Sequence, residues 1–212
     1  TGRQSLPLDR AVGRILDQEI RAPRPVPLSD NAAVDGYAFC HADLAAHGGV
    51  LRVAMRIAAG QTAPRGLLPG EAARIFTGAA MPDGADTVAM QEDCEYRDEA
   101  VAIPLGLKPE ANRRRAGEDL AAGTLLMGPG TRLRAQELAG IASTGLACVT
   151  VAAPLRVAYL STGDELRRPG EAISPGQVYD SNAAMLAGLF HKPWIAFSDL
   201  GMLPDKADRV EE

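Results

Sequence analysis

The chain has 212 residues, 46% of them apolar but only 4% aromatic, and a formal net charge of −5. That length suffices for one large domain or two small ones with aliphatic cores, and the acidic balance argues against general nucleic-acid binding. No apolar run approaches the roughly 20 residues that span a bilayer, and 22 Gly with 15 Pro favour short strands and turns over a helical bundle.

From the N-terminus, Leu6 to Ile20 reads as a helix, with Pro7 and Asp9 at its start and Val12, Ile15 and Leu16 on one face. Thr1-Gly2-Arg3 leads into no apolar signal segment. Pro23, Pro25 and Pro27 force an extended connector. Short β runs follow: Tyr37–Phe39, Leu51–Ile57, Ala72–Phe76, Thr87–Gln91 and Val101–Ile103. Turns at Gly48-Gly49, Leu68-Pro69-Gly70 and Pro82-Asp83-Gly84 separate them, the pattern of a small barrel or sandwich reaching to about Pro109 between flexible connectors.

Beyond Arg113–Asp119 the pattern changes. Arg134 to Thr144 is an amphipathic helix, with Ala135, Leu138, Ile141 and Ala142 clustered and Gly145 as its stop. Strands follow at Val149–Val151 and Arg156–Leu160, then a helix from Asn182 to Phe190 capped by Ser181, and a strand from Trp194 to Leu200. Asp205 can cap a further helix. Strand, helix, strand opens a βαβ unit with a parallel sheet. Two strands and one helix make little core, so the α/β domain is expected to be cut short.

Five turn segments can carry chemistry, and each also has a plain structural reading. Asp35-Gly36 stands at a strand entrance, as an Asx-turn or as a placed carboxylate. Thr77-Gly78-Ala79 is a strand exit, or a hydroxyl and amides that hold an oxyanion. Arg113, Arg114 and Arg115 form a solvated face, or grip a pyrophosphate through forked bonds. Ser161-Thr162-Gly163-Asp164-Glu165-Leu166 ends a strand, where open α/β sheets bind ligands. Its Thr-Gly pair suits an oxyanion, and Asp164 and Glu165 suit a cation or an activated water. Asp180-Ser181-Asn182 is an N-cap or a second oxyanion site. Cys40, Cys94 and Cys148 have no Cys-x-x-Cys spacing and read as reduced thiols of a cytoplasmic protein. His41, His47 and His191 lack ligand spacing too, and no Walker, dinucleotide or serine-hydrolase motif occurs.

In order and approximate spacing these segments resemble the molybdopterin molybdotransferases, the family of bacterial MoeA and the gephyrin E domain, from about Leu6 to about Gly201. Asp35 matches the second Asp of that family's Asp-Asn-Ser-Ala-Met-Asp-Gly-Tyr motif, with Ala32 and Val34 replacing Ser and Met. Arg74-Ile75-Phe76-Thr77-Gly78-Ala79 differs from the family motif only at Phe76, where Met is usual. The arginine run stands one position further from Gly117, with Ala116 between.

The resemblance implies a mixed α and β, multidomain fold. A small β barrel or sandwich (23–119) is inserted in an elongated α+β linker domain (1–22 plus 120–153), and the start of a three-layer α/β domain follows (154–212). It further implies transfer of molybdate into adenylylated molybdopterin with release of AMP, assisted by Mg2+, in a cytoplasmic homodimer whose site lies between two subunits. Glu165, Asp35 and Asp119 would be catalytic. Thr77, Gly78, Arg114, Arg115, Ser161, Thr162, Gly163, Asp164, Ser181 and Asn182 would bind substrate. The 212 residues alone are expected to be inactive, with the α/β domain continuing past Glu212. A non-catalytic scaffold retaining the fold is the alternative, for which the changes at Ala32, Val34 and Ala116 and the divergent His191-Lys192-Pro193-Trp194 leave room.

Overall fold

The structure is a computed structural model that describes residues 2–205, and the helix expected after Asp205 lies outside the described residues. The chain divides into two compact units: Arg21–Thr124, and the residues up to Ile20 together with those from Leu125.

The Arg21–Thr124 unit is built on one mixed six-stranded sheet. Its order is Thr87–Met90, Gly36–Phe39, Glu71–Ile75, Val50–Ile57, Ala100–Ala102, Glu95–Arg97. All neighbours run antiparallel except Val50–Ile57 and Glu71–Ile75, which are parallel. Both faces of the central strands are covered. Tyr37, Phe39, Leu51, Ala72, Ala89 and Val101 pack on one side; Ala38, Ile57, Ala73, Ile75 and Val88 pack on the other. Strands buried on both faces need no polar alternation, which is why Gly36–Phe39 and Thr87–Met90 read as continuous apolar runs.

Two elements carry weak sequence signals. The helix His41–Ala46 starts where Asp86, distant in sequence, accepts the His41 amide at 2.9 Å in place of a local cap. The Glu95–Arg97 strand returns to Ala100–Ala102 through Asp98 and Glu99, both at positive φ (50° and 61°). A two-residue turn of that type usually carries Asn-Gly or Asp-Gly. The connectors are not free linkers. Ala22 donates to Thr124 O at 3.0 Å, and Val26, between two prolines, exchanges backbone bonds with Leu120.

Glu71, 5% exposed, accepts two bonds from Arg65 (2.7 and 3.1 Å) and one from the Leu68 amide (3.1 Å), and pairs with Arg52. The Arg65 bonds lead in lowering its pKa to about 2 against the opposing effect of burial.

In the other unit the expected helix from Leu6 to Ile20 is replaced by extended chain. Arg3–Pro7 pairs antiparallel with Cys148–Ala152, placing Leu6 opposite Val149, and only Leu8–Arg10 makes a single 3-10 turn. Gly13, at φ 74°, then turns the chain so that its amide donates to Leu133 O. The apolar period was genuine for Leu16, which is buried with Ala11, Ile20, Ile141 and Val151, whereas Val12 is 56% exposed. The helix Ala135–Ser143 starts with Glu137 accepting the Arg134 amide at 2.9 Å, and Gly145 ends it at φ 82°.

Leu155–Thr162 and Ile195–Leu203 form a parallel pair, with the helix Ser181–Phe190 between them in sequence. Asp180, not Ser181, caps that helix by accepting the Ala183 amide at 3.1 Å. Leu155, Met185, Leu189 and Leu200 are each more than half exposed. No described helix is long and apolar enough to cross a membrane.

Glu71 generates a pH prediction. A carboxylate with a depressed folded pKa stabilises the fold above its unfolded value of about 4.5 and loses that contribution as pH falls toward 2. Denaturant midpoints measured from pH 7 to pH 2 should therefore drop through this window. Glu71→Gln should lower the neutral-pH midpoint and flatten the drop; an unchanged slope would remove Glu71 as its source.

Candidate functional site

The segment Asp30-Asn31-Ala32 links three of the motifs within the Arg21–Thr124 unit. On one edge Gly78 donates its amide to Ala32 O (2.8 Å) and Ala32 donates to Ala79 O (3.0 Å). On the other edge Asn31 and Ala32 pair antiparallel with Arg114 and Arg113. The Asp30 carboxylate accepts the Ala116 amide at 2.7 Å and the Arg113 guanidinium through two nitrogens, Nε at 2.7 Å. The Ala116 amide first, then Arg113, hold its pKa below the usual carboxylate value.

Asp35 and Thr77, 42 residues apart, meet directly. Asp35 Oδ1 accepts both the Thr77 amide (2.8 Å) and the Thr77 hydroxyl (2.7 Å). Those two bonds, amide first, lower the Asp35 pKa, with Arg74 adding a smaller pull. Thr77 and Gly78 therefore use their donors within the chain, on Asp35 and Ala32, rather than presenting them to an incoming oxyanion. Gly36 is needed for packing: a Cβ there would sit 1.8 Å from Ala89 O on the neighbouring strand.

Each of the three arginines has a carboxylate partner. Arg113 holds Asp30, Arg114 holds Asp119 (2.5 Å) and Glu118 (3.2 Å), and Arg115 holds Glu110. Asp119 and Arg114 are thus one ion pair, half exposed at the carboxylate.

The second cluster lies in the other unit, at the carboxyl end of Leu155–Thr162. A cleft of about 510 Å3 is lined by Ser161, Thr162, Glu165, Asp180, Ser181 and Asn182, among others. Its floor is Asp180, 5% exposed, which accepts the Ser161 hydroxyl, the Tyr159 hydroxyl (3.2 Å) and the Ala183 amide (3.1 Å). Ser161 leads these in lowering the Asp180 pKa, against desolvation. Ser161 Oγ and Tyr159 Oη, both held on Asp180, lie 2.9 Å apart. Tyr159 and the anchoring role of Asp180 were not legible in the sequence, because a Tyr in an apolar strand and an Asp before a helix have commonplace structural roles.

Glu165 is exposed, and its carboxylate lies over Gly163, where a Cβ would come within 2.7 Å of Oε2. Gly163 spends its amide on Leu203 O (3.2 Å), and Thr162 pairs with Leu203 in the parallel ladder. Asp164 is exposed and engages Arg167 through its carbonyl (3.1 Å). Among the described residues no three His, Cys, Asp or Glu side chains gather as a metal site, and all three cysteines are free thiols.

Chemically, one cluster offers carboxylates already neutralised by amides and guanidiniums. The other offers a polar cleft lined by an exposed glutamate and by a hydroxyl–carboxylate network.

Comparison with known proteins bears on both clusters. Residues 1–145 match the family model described as the MoeA N-terminal region (domain I and II). The chain is 37% identical, over its full length, to a molybdopterin molybdenumtransferase of Haemophilus influenzae, covering 52% of that protein. It is 38% identical over 86% of its length to molybdopterin molybdenumtransferase 2 of Mycobacterium tuberculosis, covering 46% of it. A crystal structure of the molybdopterin biosynthesis MoeA protein from Pyrococcus horikoshii OT3 aligns with 99% of the chain at a TM-score of 0.90 and 30% identity, covering 57% of that chain. The chain thus spans about half the length of the curated relatives it matches.

The Gly36 contact gives a direct test. Gly36→Ala must push apart Gly36–Phe39 and the edge strand Thr87–Met90, and overpacking of this kind costs about 1–3 kcal/mol. Urea unfolding should show a lower midpoint, with Thr77 amide exchange faster than in the parent chain. A midpoint within error of the parent would mean that the strand yields freely.

Proposed function

Because the chain belongs to the MoeA family, we propose that it is part of an enzyme of molybdenum cofactor biosynthesis that transfers molybdate into adenylylated molybdopterin and releases AMP. The observation that carries this reading is the polar cleft at the end of Leu155–Thr162, lined by the exposed Glu165 and by the Ser161–Asp180 network.

The chemistry needs a polyanion held and a water aimed at a phosphoanhydride. Thr162, at the strand end, and Ser181 and Asn182, at the helix start, line the cleft with hydroxyl, amide and backbone donors. No donor among the described residues occupies the Glu165 carboxylate, so it is available to orient a water or accept its proton. Ser161 and Tyr159 are held on Asp180, so the strand end and the helix start keep a fixed spacing. Mg2+ characteristically takes one or two carboxylates and completes its shell with water and substrate phosphates. Glu165 fits that pattern, and such an ion would neutralise phosphate charge.

We assign Asp35, Thr77 and the Arg114–Asp119 pair to the opposite wall of the site, contributed by the second subunit of a homodimer in the cytoplasm. Arg114 and Arg115 would exchange carboxylate partners for substrate oxygens. The exposed Leu155, Met185, Leu189 and Leu200 would be covered by the remainder of a longer three-layer α/β domain, and the inserted unit would curl as a small barrel. No observation here favours the scaffold alternative.

Glu165→Gln in the complete protein should lose molybdate-dependent AMP release by about 10²–10⁴-fold, the usual cost of removing a positioned acid–base group, while adenylylated molybdopterin still binds. Rapid-quench measurement of AMP decides. Near-normal turnover would reduce Glu165 to a turn residue.

A further inference from the structure

A second groove, of about 350 Å3, opens on the inserted β unit and involves neighbours of the Asp35 and Thr77 motifs rather than their polar groups. Tyr37, Met55, Arg56, Arg74 and Tyr96 supply most of its lining. Tyr37 is nearly buried, and it stacks on Tyr96, which is 54% exposed, with ring centroids 6.3 Å apart and planes 18° from parallel. Two guanidiniums flank one further ring: Arg56 lies 4.4 Å and Arg74 4.6 Å from the Phe76 centroid. Arg74 also lies over Tyr37 and is tied to Gly36 O (2.9 Å) and to Gln91. Arg56 is exposed and has no carboxylate partner among the described residues, whereas its strand neighbour Arg52 is bound to Glu71. Phe76 precedes Thr77 and Tyr37 follows Gly36, so the groove begins beside the Asp35–Thr77 pair.

An aromatic face with a loose guanidinium at its rim has a defined complement. Flat heterocycles stack on tyrosine, and a guanidinium forms forked, charge-assisted bonds to phosphate. Arg56 is pre-positioned by Phe76, which limits the side-chain entropy lost on binding.

We propose that this groove binds a phosphorylated planar heterocycle, with the ring on Tyr96 and Met55 and the phosphate on Arg56. As the natural ligand we identify one of the two heterocycle ends of adenylylated molybdopterin, which rests on the function proposed above. The binding itself does not.

The test is an NMR titration of the 212-residue chain, labelled at Tyr and at Met methyls, with AMP, adenosine, 6-hydroxymethylpterin phosphate and inorganic phosphate. Saturable shifts at Tyr37, Met55 and Tyr96 are expected from AMP, from the pterin phosphate, or from both, and which one acts identifies the end that docks. Arg56→Gln, at an exposed side chain, should weaken the phosphorylated ligand about tenfold and leave adenosine unchanged. Tyr96→Ala should weaken both.

If neither phosphorylated heterocycle shifts these residues, the proposal is overturned. It is equally overturned if phosphate alone reproduces the response, or if both variants bind like the parent. Turnover enters none of these readouts, so the groove and the transfer reaction stand or fall separately.

Discussion

The inserted unit depends on one short ladder, Asp30-Asn31-Ala32, fastened on both edges. Its backbone holds the Thr77–Ala80 turn on one side and Arg113–Arg114 on the other, and the Asp30 carboxylate ties down Arg113 and the Ala116 amide. Segments from three distant parts of the sequence thereby occupy fixed positions. Asp35 is delivered to Thr77 because the same chain, five residues after Asp30, enters a central strand through a glycine that only a hydrogen can fit.

This arrangement constrains what the motifs can do. Charged groups at an anion site must be stable before the anion arrives, and here they stabilise one another. Arg114 rests on Asp119 and Glu118, Arg115 on Glu110, and the Thr77 donors rest on Asp35. A polyanionic ligand would have to replace carboxylates rather than enter an empty cradle. Such exchange favours a highly charged ligand, because a weakly charged one would not repay the broken ion pairs. The other unit is arranged differently. Its acidic anchor, Asp180, is buried under two hydroxyls, and its exposed acid, Glu165, is unengaged among the described residues.

Much of this was legible in the residues. The five apolar runs from Tyr37 to Ile103 and the helices near Arg134 and Asn182 appear within a few residues of their expected places, because burial on both faces or one helical stripe leaves a strong pattern. The Asp35-Gly36 and Thr77-Gly78 turns were visible, but not that one carboxylate would take both Thr77 donors. That pairing is set by the sheet order, which sequence does not encode locally. The N-terminal error has a specific cause. Leu16 follows a helical period, yet Gly13 at positive φ and a strand partner in Cys148–Ala152 outweigh propensity. Ser181 lost the cap to Asp180 by one position, and the two-residue turn at Asp98-Glu99 lacked its usual glycine.

The most direct measurement of the central claim is amide hydrogen exchange in Asp30→Ala, compared with the parent chain at Gly78, Arg114 and Ala116. Ala116 loses its own acceptor and must exchange faster in any case. Gly78, whose bond is to the Ala32 carbonyl rather than to Asp30, should also exchange faster, because the ladder loosens as one piece. Faster exchange confined to Ala116, with Gly78 and Arg114 unchanged, would contradict it and leave the motifs fastened independently.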